Sequence, residues 1–420
     1  MEKLLIQGGY PLHGTLRIGG AKNAALPIIA STILTDGTTT LEDVPRISDI
    51  DNLLKMLSSL GCSVQWQDGK LHIDTTTIKN NPINDEIAKK IRGSIFVLGA
   101  LVARFKSARL PFPGGCAIGE RPVDIHINAF KDIGISTQEQ CGYIQCRRKS
   151  APKMAAVHLD FPSVGATINV ILATAIGKRT VKIIGAAREP EIVDLADFLN
   201  KCGACISGAG TDTITVSGAK SLSGTKHKVI SDRIVSGSYM LLTAAVGGDV
   251  TLENVNPSHN ENLISKLISS GVDLTQGANS IRIKSIGTKK PFGSVQTSPY
   301  PGFSTDLQSQ VTAYALTCKG RTTVTENMFE NRFGYVAGLE KLGGKVTKVG
   351  KKIIIEGSIL KAGTKENPVE VFAPDLRGGF SLVMAAMAAD GFTVIHNAQY
   401  IRRGYQDLET GLIALGGNLS

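Results

Sequence analysis

Cys116 sits in Pro113-Gly114-Gly115-Cys116-Ala117-Ile118-Gly119-Glu120-Arg121-Pro122, a glycine-flanked stretch suited to a lid, with Arg121 close enough in sequence to favour a thiolate. A cysteine is most often a small buried hydrophobe. In such a loop it can instead be catalytic. A second set of residues recurs along the chain as short polar segments: GGAKNAA at Lys22, KIRGS at Arg92, SVGAT at Ser163, DRIVSG at Asp232, STDLQSQ at Asp306 and DLRGGFS at Arg377. Each precedes an apolar run such as SIFVLGALVA or FSLVMAAMAA, which reads as a buried helix. Asp and Ser at those starts fit ordinary N-caps. Lys22, Arg92 and Arg377 do not, because a cation in the first turn opposes the helix dipole. Repeating that cost three times points to an anionic ligand gathered at helix N-termini.

The elements that carry these residues repeat. GTTTLEDV at Gly37 returns as GDVTLENV at Gly248, GRTTVTEN at Gly320 and GFTVIHNA at Gly391, with weaker copies at Gly177 and Ser107, so successive copies lie 70 to 72 residues apart. Each copy reads as a polar start, a buried helix, a strand rich in Thr, Val and Leu, an amphipathic helix and a strand pair. The amphipathic helices end on Gly61, Gly134, Gly203, Gly271, Gly343 and Gly416, where a left-handed cap suits glycine. After Gly416 only four residues remain, too few for a strand pair, and Lys3–Ile18 has the missing pattern. The N-terminal residues are therefore expected to complete the last copy, giving one domain over 21–230 and another over 1–20 with 231–420, with a hinge near 20–21 and 229–231.

Composition narrows the function. A chain of 420 residues with 42% hydrophobic and 20% charged residues is a soluble globular protein of two domains or one large one. Many of its 46 glycines, more than the usual ~7%, punctuate the repeat, and they form no low-complexity tract. The net charge of +10 suits nucleic acid, a membrane surface or an anionic small molecule. The basic clusters, Arg147-Arg148-Lys149, Lys289-Lys290, Lys351-Lys352 and Arg402-Arg403, are short and lack interleaved aromatics, which argues against nucleic acid. Seven cysteines do not suit a disulfide framework, and Cys202-Gly-Ala-Cys205, lacking a second pair at zinc spacing, more often ends a helix than holds a metal. With no signal-like apolar segment and no long apolar run, a cytoplasmic location and no membrane association are expected. No dinucleotide fingerprint, P-loop or metal cluster is present, so neither a cofactor nor a metal is expected.

Read in order, GAKNAALP, KIRGS, PGGCAIGERPVDIH, AAREPEIVD, SDRI, TDLQSQ, ENRF, DLR and RGY carry a resemblance to the enolpyruvyl transferases that spans the whole chain. The resemblance implies an α/β (α+β) fold, a two-domain inside-out α/β barrel of six βαβαββ repeats, three per domain. Its motifs are most similar to the branch whose acceptor is UDP-N-acetylglucosamine. There the enolpyruvyl group of phosphoenolpyruvate passes to the sugar 3′-hydroxyl by addition and elimination, with release of phosphate, opening peptidoglycan synthesis. The sibling branch, which acts on shikimate 3-phosphate, has serines after the first lysine where this chain has Asn23-Ala24-Ala25, and it lacks the cysteine loop.

The resemblance also implies roles. Cys116, the position alkylated by fosfomycin in the family, either protonates C3 of phosphoenolpyruvate or forms an adduct with it. Lys22, Asn23, Arg121, Arg377 and Arg403 match positions that grip the carboxylate and phosphate of phosphoenolpyruvate. Arg92, Arg121, Pro122, Val123, Asp124, Ile125, Ser163, Val164, Asp306 and Met328 match the nucleotide-sugar side. Asp306, expected to open a buried helix as its N-cap, is a base or a positioning carboxylate, with Lys22 also among the catalytic residues and Glu189 and Asp232 supporting them. The family often has a lysine near the diphosphate where this chain has Phe161, which can stack on uracil or be inert. The expected partners are the two small substrates, with no nucleic acid, and the expected state is a monomer or weak homo-oligomer. Two other readings are an enolpyruvyl transferase acting on another acceptor such as shikimate 3-phosphate, and a non-catalytic anion-binding scaffold.

Overall fold

The computed structural model describes residues 2–114, 123–149 and 156–420. They form an α/β fold in which the repeat is explicit. Six helices with little polar surface, Lys22–Ser31, Phe96–Phe105, Val164–Thr174, Arg233–Val246, Gln308–Leu316 and Leu376–Ala388, are buried along almost their whole length. Each leads into a strand of the repeated phrase: Thr38–Glu42, Ser107–Pro111, Thr180–Ile184, Gly248–Glu253, Arg321–Thr325 and Gly391–His396. Alternating burial along these strands turns one face to the helices and the other outward. The amphipathic helices follow, and the six glycines after them all take positive φ, from 78° to 108°. A residue with Cβ would be strained at each, which is why the sequence punctuates there with glycine.

In each copy the repeated strand pairs antiparallel with the second strand of the following hairpin. Arg321–Thr325, for example, pairs with Lys352–Glu356, and Lys345–Val349 lies beyond. A parallel strand from the preceding copy lies on the other side, as Ser294–Gln296 does beside Arg321–Thr325. Two of these parallel neighbours close circuits: Lys226–Lys228 lies beside Thr38–Glu42, and Leu12–Arg17 beside Gly248–Glu253. The last hairpin is divided between the chain ends, because Lys3–Gly8 pairs antiparallel with both Gly391–His396 and Asn418–Leu419. The second copy departs from the pattern. Ser107–Pro111 belongs to a three-stranded sheet with no parallel neighbour among the described residues, and the residues ahead of it form the helix Asp85–Lys90, capped by Asn84, instead of a strand.

Contacts divide the described residues into two compact units, 2–19 with 231–420, and 20–114 with 123–230. Each has its own hydrophobic core. In the first unit the three buried helices pack against one another pairwise, inside the sheets. In the second, the Phe96–Phe105 helix packs on both of its counterparts. It approaches Val164–Thr174 so closely that a Cβ at Gly99 would lie 2.5 Å from the Asn169 carbonyl oxygen. No helix of the described residues is long and apolar enough to cross a membrane. Cys202 is buried at the end of the helix Pro190–Lys201, while Cys205 is exposed in the next strand.

Candidate active site

In the unit formed by 2–19 and 231–420, two of the three buried helices begin on a side-chain cap, and the third, Gln308–Leu316, follows a 3-10 turn that is itself capped. Asp232 accepts hydrogen bonds from the Ile234 and Val235 amides, Ser304 from the Asp306 amide, and Asp375 from the Arg377 and Gly378 amides. Contrary to expectation, Asp306 is not itself an N-cap. Ser304, two residues earlier, does that work, and Asp306 lies inside the short turn Thr305–Leu307. Its carboxylate is thereby released to meet two guanidinium groups: Arg332 donates to Oδ1 at 2.6 Å and Arg377 approaches Oδ2 at 3.4 Å. Arg332 also donates to Thr305 Oγ1 at 2.8 Å, and Thr305 in turn donates to buried Glu326 at 2.8 Å.

Glu326 accepts further hydrogen bonds from Thr297 and from the amides of Met328 and Phe329, which sets the backbone at Met328. Arg377 is only 2% exposed, and its Nε and Nη1 find no hydrogen-bond partner among the described residues. Its guanidinium carbon lies 5.3 Å from the ring centre of Tyr405, whose hydroxyl meets Ser238 at 2.8 Å and accepts from Gln310 at 3.0 Å. Arg403, two residues before that tyrosine, is half-buried at the end of the helix Ala398–Arg402.

The other unit presents a different arrangement. Ser163 caps its helix by accepting from the Ala166 amide. Ala21 and Ile91, which precede Lys22 and Arg92, provide no side-chain cap. Lys22 is 9% exposed and pairs with Asp49 at 2.8 Å, while Asn23 and Arg92 are half-buried in the first turns. Arg92 opens a short 3-10 turn, Arg92–Ile95, and not the helix itself. His126, behind Asp124 and Ile125, has its Nδ1 facing the Asn169 amide nitrogen at 3.0 Å. The Asn169 side-chain carbonyl oxygen accepts from the Gly99 amide at 2.9 Å, so its NH2 group must be the one that donates to His126. Burial, then the charge of Arg92, pushes His126 down to about 4 against a smaller opposing pull from Asp124. The imidazole is thus neutral at pH 7.

Of the remaining residues singled out from sequence, Val123 is buried, Asp124 is exposed, and Ile125, Val164, Glu189 and Met328 are intermediate. Glu189 stands at the N-cap position of Pro190–Lys201 without a side-chain capping bond. Phe161 is 41% exposed. Cys116, Arg121 and Pro122 lie outside the described residues. Four residues that the sequence reading did not assign, Arg332, Glu326, Thr305 and Tyr405, organise the Asp306 cluster. The ENRF and RGY segments contain two of them, so the signal was present as a motif without a role.

The chain matches the family model described as EPSP synthase (3-phosphoshikimate 1-carboxyvinyltransferase) over residues 6–412. It is 41% identical over 419 residues to UDP-N-acetylglucosamine 1-carboxyvinyltransferase 2 of Caldanaerobacter subterraneus, covering 100% of this chain and 99% of that protein. It is likewise 41% identical over 423 residues to UDP-N-acetylglucosamine 1-carboxyvinyltransferase of Clostridium botulinum, again covering 100% and 99%. Among solved structures, the enolpyruvyl transferase NikO from Streptomyces tendae superposes with a TM-score of 0.88 at 21% identity, over 100% of this chain and 98% of that one. EPSP synthase from Acinetobacter baumannii gives 0.75 at 19% identity, over 100% and 99%, so these two likenesses speak to the fold. The chain belongs to the EPSP synthase (3-phosphoshikimate 1-carboxyvinyltransferase) family.

Proposed function

We propose that the protein transfers the enolpyruvyl group of phosphoenolpyruvate to the 3′-hydroxyl of UDP-N-acetylglucosamine, releasing phosphate. The observation that carries this reading is the Asp306 cluster: a carboxylate held by Arg332 and Arg377 at the start of buried helices, in a chain whose full-length relatives bear the corresponding name. A carboxylate stabilised by two guanidinium groups is a good hydrogen-bond acceptor and a weak base. Asp306 therefore orients the 3′-hydroxyl as its oxygen attacks C2 of phosphoenolpyruvate, while C3 takes a proton from Cys116. The tetrahedral adduct then returns its C3 proton to the Cys116 thiolate as the C2–O bond to phosphate breaks, the departing phosphate carries off the proton given up by the 3′-hydroxyl, and the enolpyruvyl ether remains. Lys22, Asn23, Arg121, Arg377 and Arg403 bind phosphoenolpyruvate, where guanidinium forks suit both its carboxylate and its phosphate. Arg92, Arg121 to Ile125, Ser163, Val164 and Met328 bind the nucleotide sugar, with Glu189 and Asp232 supporting. The same reading makes this a cytoplasmic monomer or weak homo-oligomer whose partners are those two small molecules.

Phosphate release from phosphoenolpyruvate, assayed with each acceptor, tests the proposal. Release that depends on UDP-N-acetylglucosamine is expected. Release only with shikimate 3-phosphate would transfer the activity to the sibling branch, and DNA binding without turnover would favour a scaffold.

A further inference from the structure

We infer that Asp194 and His227 are positioning residues for the reaction, because they hold the backbone that sets the start of the Lys22 helix. Asp194 lies within the helix Pro190–Lys201 and is 4% exposed; His227 lies on the strand Lys226–Lys228 and is 5% exposed. Their side chains meet at 2.9 Å, Asp194 Oδ1 to His227 Nε2. Lys201 Nζ, which can only donate, faces His227 Nδ1 at 3.3 Å. The Nδ1 atom therefore accepts, and Nε2 carries the proton given to Asp194. Phe198 closes the site edge-on, with ring centres 5.4 Å apart.

The second carboxylate oxygen of Asp194 accepts from the Ile230 amide at 3.2 Å, and the Ile230 carbonyl oxygen accepts from the Ala21 amide at 2.7 Å. Ala21 is the N-cap of the Lys22 helix and has no capping side chain of its own. The direction in which that helix starts, and with it Lys22 and Asn23, is thus passed from Asp194 through one residue, Ile230. A buried polar pair is often no more stable than apolar replacements of similar volume. A pair kept here acts on geometry more than on stability. The kinetic consequence rests on the proposed function; the backbone consequence does not.

Two measurements on the full chain test the inference. Asp194→Ala is expected to raise amide hydrogen exchange in 19–24 and 228–231, with the rest of the unit's core unchanged. It should also raise KM for phosphoenolpyruvate about tenfold while the Kd for UDP-N-acetylglucosamine stays within about twofold. Asp194→Asn, which keeps an acceptor for Ile230, should restore most of both. His227→Leu serves in place of Asp194→Ala should that variant not fold. Exchange that is unchanged in 19–24, or raised evenly through the core, would overturn the inference, as would equal losses for both substrates. If the wild type turns over no phosphoenolpyruvate, the proposed function fails, and the exchange result alone still decides the role of Asp194.

Discussion

The two units build the starts of their buried helices in opposite ways. In the unit of 2–19 and 231–420 Asp232 and Asp375 cap their helices, Ser304 caps the turn ahead of Gln308–Leu316, and the charges of Asp306, Arg332 and Arg377 are bound to one another. In the unit of 20–114 and 123–230 Ser163 caps its helix, while the helix that starts at Lys22 and the 3-10 turn that starts at Arg92 have no side-chain cap. A helix start with a cation and no capping oxygen is arranged for an external anion. One that is closed by its own oxygens is arranged to hold side chains in place. The first unit thus closes the approaches to its helices with its own side chains, whereas the second has no side-chain cap ahead of Lys22 or Arg92.

Removing a member of the preassembled cluster should have the largest effect. Arg377→Ala takes one of the two guanidinium groups from Asp306 and empties a fully buried site, so a loss of about 3 kcal/mol or more is expected in urea unfolding, together with a fall in turnover of at least about 100-fold. Arg377→Lys should recover stability better than turnover, because an ammonium cannot reproduce the fork. Normal turnover in Arg377→Ala would show that the cluster is structural and would remove the contrast between the units.

How much of this was legible in the sequence depended on the range of the interaction. The repeat, its buried helices and its terminal glycines are local, since an apolar run or a residue forced to positive φ leaves its mark on adjacent positions. The divided last hairpin was legible too, because what remains after Gly416 is visibly too short. Asp306 was misread as a cap because Ser304 and Asp306 both suit that role, and only backbone geometry chooses. Arg332 went unassigned because its partner is 26 residues away across a helix, a strand and a loop. The missing strand of the second copy was hidden by Asn84, whose capping of Asp85–Lys90 competes with the extended form its neighbours adopt elsewhere.

Acid should separate the units next. His126 is held down to about 4, mainly by burial, so from its ordinary value of 6.5 down to about 4 the unfolded chain binds the proton that the folded one refuses. The stability this contributes is fully present above pH 6.5 and is lost as pH falls toward 4, up to about 3 kcal/mol. The hydroxyl network of the other unit, Ser238, Gln310 and Tyr405, has no counterpart, since burial pushes the Tyr405 phenol further up. Urea midpoints at pH 7 and pH 4.5 should diverge less in His126→Asn than in the wild type. Equal divergence in the two proteins would assign the acid sensitivity to carboxylates elsewhere.

The smallest effect tests the contrast most directly, by moving a cap from one unit to the other. Ala21→Ser supplies the Lys22 helix with the hydroxyl it lacks, in a residue whose extended backbone (φ −71°, ψ 121°) already suits an N-cap. It should stabilise the protein by about 0.5–1 kcal/mol and raise KM for phosphoenolpyruvate a few-fold, because the new oxygen competes with the anion for the same amides. Ser304→Ala removes a cap from the other unit and should do the reverse, costing about 1 kcal/mol with KM for phosphoenolpyruvate within about twofold. If both substitutions moved that KM alike, capping would not distinguish the two units, and the anion would have to be held by side chains alone.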